Sequence, residues 1–124
     1  MKVLVVVEDD RDMRRLIRIT LGLEERLRVD GEAASARMAL ELVERMDDLD
    51  LIILDHFIDG DVMGLEAAPL LKAAAPGAKI LLFTSHDLAT EAGREPAIAA
   101  YLSKQHLDQL LPTTQRLLGL EVSA

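Results

Sequence analysis

Apolar residues in this chain fall into short unbroken runs, separated by stretches in which they recur at helical spacing. Lys2–Val7 reads KVLVVV, Leu49–Leu54 closes on LIIL, and Ala78–Phe83 closes on ILLF. Runs this short and this continuous predict strands buried on both faces. Leu27–Ala33 is a weaker strand and Ile98–Leu102 a late one. Between them, Arg11–Leu23 carries Met13, Leu16, Ile17 and Thr20/Leu21 near one helical face, with Arg11, Arg14, Arg15 and Arg18 elsewhere on the cylinder. Asp10 is placed to cap that helix. Ser35 is placed to cap a second, Ala36–Met46, with Met38, Ala39, Leu42 and Val43 inward. A third helix lies between Met63 and Ala74 and contains Pro69. An interior proline costs about 3 kcal/mol, so this helix is expected to start late or to kink. A short helix at Leu88–Gly93 and a last one at Leu107–Leu118 follow, the latter with Pro112 early, where a missing N–H matters least.

Strands and helices thus alternate five times. That pattern predicts an α/β fold with a parallel sheet covered on both faces, a flavodoxin-like doubly wound (βα)5 sandwich in strand order 2-1-3-4-5. Ligands in such folds sit beyond the carboxyl ends of the strands. Those positions hold Glu8, Asp9 and Asp10 after strand one and Asp55 after strand three. Thr84, Ser85 and His86 follow strand four, and Ser103 and Lys104 follow strand five. The convergent carboxylates repel one another, by about 4 kcal/mol for a pair 4 Å apart near a protein surface. A divalent cation removes that cost. All-oxygen donors point to Mg²⁺, with Mn²⁺ as the alternative. A lysine and a threonine hydroxyl beside a metal-bound carboxylate make a cradle for a phosphoryl group.

The formal net charge of −8 argues against nucleic acid as a partner. The chain has no Cys, hence no disulfide framework or thiol chemistry. Val3–Val7 is too short for a signal peptide and runs into Glu8, and no apolar run reaches membrane length. The expected location is cytoplasmic. The expected organisation is one domain over residues 1–124, stand-alone, with no effector domain.

The segments VVVEDD (5–10), LIILD (51–55), LLFTS (81–85) and YLSK (101–104), in this order, resemble the receiver domains of two-component response regulators. The resemblance implies that Asp55 is the phospho-acceptor, fed by a histidine kinase or a histidine phosphotransfer protein. It implies that Glu8, Asp9, Asp55 and the backbone carbonyl of Phe57 hold Mg²⁺. Lys104 would pair with Asp55 and then with the phosphoryl group. Thr84 and Tyr101 would form the switch that changes the surface of helix four, strand five and helix five. Phe57 and His86, each two residues past a site residue, would tune dephosphorylation. Such a domain regulates; it catalyses only its own phosphorylation and dephosphorylation. It would be a monomer or weak dimer.

The chain departs from the family pattern in places. Asp59 stands where a receiver keeps Pro, and the loop DHFIDGDVMG reaches Gly64 one residue late. Gln105 replaces the Pro that usually follows the lysine in a cis bond. A cis bond before a non-proline costs about 2.5–4 kcal/mol, so either the bond is trans and Lys104 is displaced, or strain is retained. The segment Thr84–Lys104 looks short, which predicts a reduced fourth helix. His56 and His86, without a third partner at ligand spacing, read as ordinary loop residues rather than metal ligands. Asp59, Asp61 and the helix-one arginines read as solvated, the arginines with a kinase or phosphotransfer docking face as the alternative. Two other functions compete: a degenerate receiver used only as a protein dock, and a Toprim-type Mg²⁺-dependent nucleic-acid enzyme, whose usual Asp-x-Asp is broken here by Phe57.

Overall fold

The computed structural model describes residues 1–122. Five parallel strands, β1 (Lys2–Val7), β2 (Leu27–Ala33), β3 (Leu49–Leu54), β4 (Lys79–Thr84) and β5 (Ala100–Ser103), form one sheet in the order β2-β1-β3-β4-β5. The helices are α1 (Arg11–Leu21), α2 (Ala36–Val43), α3 (Gly64–Ala74), α4 (Ala89–Arg94) and α5 (Leu110–Leu117). The strand alternation sorts the core. Val3, Val5 and Val7 of β1 point to the face covered by α2, α3 and α4, through Ala39, Val43, Ala67, Ala68, Leu71 and Ala92. Leu4 and Val6 point to the other face, where Ile17, Leu21 and Leu110 of α1 and α5 pack. Among the described residues, no helix is long and apolar enough to cross a membrane.

Asp10 caps α1 as expected, accepting from the N–H groups of Asp12 and Met13, and Ser35 caps α2 through Met38 N–H. Several boundaries differ from the sequence reading. The apolar pattern overran both first helices. Helix α1 ends at Leu21, where Gly22 N–H returns to the Arg18 carbonyl. Helix α2 ends at Val43, and Arg45 and Met46 N–H bond to Leu42 and Val43 carbonyls, a tighter turn than the helix. Met38 is not inward: it is 51% exposed, because Ala36, Ala39 and Val43 form the inner face. Leu42 does reach inward, lying over Gly31 of β2, where a Cβ would overlap it.

Helix α3 starts at Gly64, five residues before Pro69, not late. Pro69 is exposed, and it leaves the Leu65 carbonyl without its helical donor. Helix α4 is short, as expected. Helix α5 starts at Leu110 rather than Leu107, because a 3₁₀ segment, Lys104–Gln109, precedes it. Pro112 remains in its first turn.

Candidate functional site at the carboxyl edge of the sheet

The sheet ladder continues one residue past the strands. Glu8 N–H donates to the Ala33 carbonyl at 2.9 Å, and Asp55 N–H to the Val7 carbonyl at 3.0 Å. The ladder therefore sets Glu8 and Asp55 side by side at the carboxyl edge. One oxygen each from Glu8, Asp9 and Asp55 can lie within 4.8 Å of the others. Glu8 and Asp55 are buried, at 2% and 6% exposure, while Asp9 is exposed.

Lys104 arrives from the far strand. Its Nζ lies 2.8 Å from Asp55 Oδ2 and 2.5 Å from Glu8 Oε1. The Lys104–Gln105 peptide bond is trans, and Lys104 is not displaced. The choice expected from the missing proline resolves differently: Ser103 Oγ accepts from Gln105 N–H at 3.2 Å, and the 3₁₀ turn it caps carries the lysine to the acids. Asp55 Oδ1 accepts from His56 N–H at 2.7 Å, so both of its oxygens are held.

Burial dominates the ionisation of Glu8. It outweighs the hydrogen bonds from Lys104 and Asp10 N–H, and Asp55 adds like-charge repulsion, so the carboxyl is pushed up to about 7. Burial works against the charge of Lys104, but hydrogen bonds to Asp55 and Glu8 overcome it and raise its pKa. One ammonium thus faces three carboxylates. The excess negative charge, held on oxygen donors alone, fits a hard divalent cation.

Thr84 ends β4, fully buried, and its Oγ1 has no hydrogen-bond partner. An unsatisfied buried hydroxyl costs about 1–3 kcal/mol, which an incoming acceptor oxygen would relieve. Tyr101 is half-buried, and its hydroxyl donates to the His86 carbonyl at 2.8 Å. This bond ties β5 to the loop after β4. Phe57, 43% exposed, packs against His86 with the rings tilted by 51° and their centroids 4.3 Å apart, and meets His56 edge-on at 4.8 Å. The positions expected to tune dephosphorylation therefore touch one another at the rim.

The late-glycine loop is closed on itself. Gly64 N–H donates to the His56 carbonyl at 2.7 Å, and Leu65 N–H to His56 Nδ1 at 3.2 Å. His56, read from sequence as a loop residue, is an acceptor cap for α3, with its ring proton on Nε2. Burial lowers its pKa, which favours the neutral ring the cap needs. Gly60 takes the turn at φ 92°, and Ile58 is buried. Asp59 N–H donates to the Ala34 carbonyl at 2.9 Å, filling a role in which Pro could not serve. A Cβ on Gly64 would overlap the Asp55 carbonyl oxygen.

Arg14 was also missed as a site residue. Its guanidinium donates to the carbonyl of Glu8 at 2.8 Å and to that of Asp9 at 3.1 Å. The only sequence signal is its place four residues after the capping Asp10, one turn into α1.

A five-stranded parallel sheet in this order, with buried acids and a lysine at its carboxyl edge, is a flavodoxin-like fold with an acidic site at its ligand-binding edge. The chain belongs to the response regulator receiver domain family, which matches residues 4–115. Solved structures agree. The response regulator TrrA of Thermotoga maritima, in complex with Mg²⁺ and BeF, is 29% identical with a TM-score of 0.82, over 95% of this chain and 100% of that one. The response regulator domain of Thermotoga maritima CheB is 19% identical with a TM-score of 0.81, over 98% and 99% of the two chains. A LuxR-family DNA-binding response regulator from Staphylococcus aureus is 19% identical with a TM-score of 0.83, over 94% and 98%. The last two show the fold alone. No curated protein sequence compared with the chain matches it.

Proposed function

We propose that this receiver domain accepts a phosphoryl group on Asp55 from a phosphohistidine of a histidine kinase or phosphotransfer protein, in a Mg²⁺-dependent reaction. The observation that carries the reading is the Asp55–Lys104 pair at 2.8 Å, with Glu8 and Asp9 converging on the same point. The Mg²⁺–BeF complex of TrrA, whose fold and length match this chain's, supports the same metal here. Glu8, Asp9, Asp55 and the Phe57 carbonyl would hold Mg²⁺, which when bound offsets the charge of the carboxylates and the phosphoryl oxygens.

The chain's own groups do the rest. An Asp55 carboxylate oxygen forms the O–P bond as the N–P bond of the donor breaks, and the imidazole nitrogen keeps the electron pair and takes a proton. Lys104 orients Asp55 before transfer and faces a phosphoryl oxygen after it. The orphaned hydroxyl of Thr84 donates to another. Movement of Thr84 releases Tyr101 from the His86 carbonyl, and the surface of α4, β5 and α5 shifts population for a protein partner. In the reverse step water attacks phosphorus, the Asp55 O–P bond breaks and inorganic phosphate leaves. The Phe57–His86 pair stands at the rim that this water must pass.

Incubation with Mg²⁺ and acetyl phosphate, followed by intact mass measurement, tests the reading. One phosphoryl group should be added to wild type and none to Asp55→Asn. Absence of the adduct, or its persistence in Asp55→Asn, overturns the proposal.

A further inference from the structure

The loop that carries the acid pair has almost no regular structure, yet nearly every backbone polar group in it is held. Glu8 N–H goes to the Ala33 carbonyl, and Asp10 N–H goes to Glu8 Oε2 at 3.1 Å. Asp10 caps α1. The acceptors of this loop are the carbonyls of residues 8, 9 and 10. All three are taken by one residue: Arg14 N–H bonds to the Asp10 carbonyl at 2.9 Å, and the Arg14 guanidinium bonds to the carbonyls of Glu8 and Asp9. The side chain is 23% exposed, and its Nε also lies 3.8 Å from Glu32 Oε1. The neighbouring Arg15 is exposed on the same helix.

A guanidinium is a poor electrostatic choice beside a cation site, since like charge weakens cation binding. Its Nη1, by contrast, carries two N–H groups in the guanidinium plane, and this one nitrogen reaches both adjacent carbonyls. Geometry and charge therefore act in opposite directions on the metal, and this makes the role of Arg14 measurable. We propose that Arg14 is a positioning residue for the divalent cation: by clamping the Glu8 and Asp9 carbonyls, it aims both carboxylates at one point. The inference rests on the metal site proposed above. It assigns a part to a residue that touches neither the cation nor the phosphoryl group.

Calorimetric titration with Mg²⁺ alone separates the two effects. Replacement of a group that orients metal ligands typically costs 10–100-fold in affinity. Arg14→Met should therefore weaken Mg²⁺ binding about tenfold, although it removes a positive charge. Arg15→Met, which removes the same charge without a clamp, should bind Mg²⁺ as wild type does or more tightly. Arg14→Lys keeps the charge on a shorter side chain, without the planar Nη1 that reaches both carbonyls, and should fall between wild type and Arg14→Met. A purely structural role would lower the melting temperature in EDTA and leave the affinity for Mg²⁺ unmoved.

Affinity in Arg14→Met equal to or tighter than wild type overturns the proposal. Should that variant not fold, wild-type affinity in Arg14→Lys overturns it instead. If Asp9→Asn weakens Mg²⁺ binding and Arg14→Met does not, the clamp alone is wrong. If the wild type itself takes up no Mg²⁺, the metal-site reading falls and the clamp with it.

Discussion

Two glutamates at opposite ends of the sheet expose little surface, 2% for Glu8 and 9% for Glu24, yet their ionisation moves in opposite directions. Glu8, at the carboxyl edge, is pushed up to about 7, chiefly by burial. Glu24, in the turn leading to β2, is held at about 2 by hydrogen bonds from the side chain and backbone of Arg26 and from Gln115. Its Oε1 accepts from Gln115 Nε2 at 2.8 Å, and Arg26 goes on to the Glu121 carbonyl at 2.8 Å. Burial raises both carboxyls, but it dominates at Glu8 and is outweighed by hydrogen bonds at Glu24. Glu24 has a guanidinium and an amide to itself and staples α5 and the chain end beneath β2. Glu8 shares one lysine with Asp55 in a crowd of acids. One end of the sheet spends its buried charge on cohesion, and the other keeps an excess that only a ligand relieves.

The largest test of this contrast is the pH dependence of stability in EDTA. Glu8 binds its proton more tightly folded than unfolded, so its contribution is fully present below pH 4.5 and is lost as pH rises through about 7. At about 1.4 kcal/mol per pKa unit, that loss is on the order of 3 kcal/mol. Glu24 behaves oppositely: its contribution is present above pH 4.5 and is lost as pH falls through about 2. Urea unfolding of Glu8→Gln should therefore lose the decline that wild type shows from pH 5 to 8, leaving the rise with pH that the lowered pKa of His56 contributes. Glu24→Gln should keep that decline, be less stable at neutral pH, and lose less on acidification. Parallel profiles for the two variants would break the contrast.

Next in size is the effect of the cation. At a Mg²⁺ concentration 100 times Kd, a site present only in the folded state adds about 2.7 kcal/mol. At pH 7 this binding should also release protons, because Glu8 is partly protonated and must ionise to ligate. Titration in two buffers of different ionisation enthalpy measures the release. It should vanish in Glu8→Gln and be unchanged in Glu24→Gln.

The same asymmetry governs how much could be read from sequence. The strands, the 2-1-3-4-5 order and the acids at strand ends follow from apolar runs and a rule about where such sheets bind ligands. Asp55 stands out because it ends a run of four apolar residues. Arg14, His56 and Glu24 do not stand out. Arg14 and His56 act on backbone carbonyls and amides, which every residue has, so no side-chain pattern marks the partners. Glu24 is joined to Gln115 across 91 positions. Lys104 reached its place through a 3₁₀ turn, although the missing proline suggested that it would not. The helix ends were overrun because Leu23 and Met46 continue the apolar spacing while the backbone has already turned.

Two glycines sharpen the comparison at smaller amplitude. A Cβ on Gly64 would overlap the Asp55 carbonyl, whereas one on Gly93 in α4 meets nothing within 4 Å. Gly64→Ala should cost about 1–3 kcal/mol, as overpacking does, and should weaken Mg²⁺ binding by shifting Asp55. Gly93→Ala should gain about 0.5–1 kcal/mol with no change in Mg²⁺ affinity. Thermal melts with and without Mg²⁺ read both. Equal Mg²⁺ affinity in the two variants would separate Gly64 from the site.

The smallest effect is the most diagnostic, because its sign depends on pH. Asp9 is the exposed member of the cluster, so water and salt damp its repulsion of Glu8 and Asp55 to about 1 kcal/mol. Its charge also lies just before α1, where the helix dipole favours an anion by about 0.3–1 kcal/mol. At pH 8, with Glu8 ionised, the repulsion of two carboxylates exceeds the dipole contribution, and Asp9→Asn should melt higher than wild type in EDTA. At pH 5.5 Glu8 is protonated, only Asp55 repels Asp9, and the gain should shrink to nothing or reverse. Saturating Mg²⁺ should invert the pH 8 order, because the variant loses a ligand. A variant that melts lower in EDTA at both pH values would mean that Lys104 and Arg14 already neutralise the cluster. Glu8 would then be raised by burial alone, and the carboxyl edge would hold no excess charge for a cation to relieve.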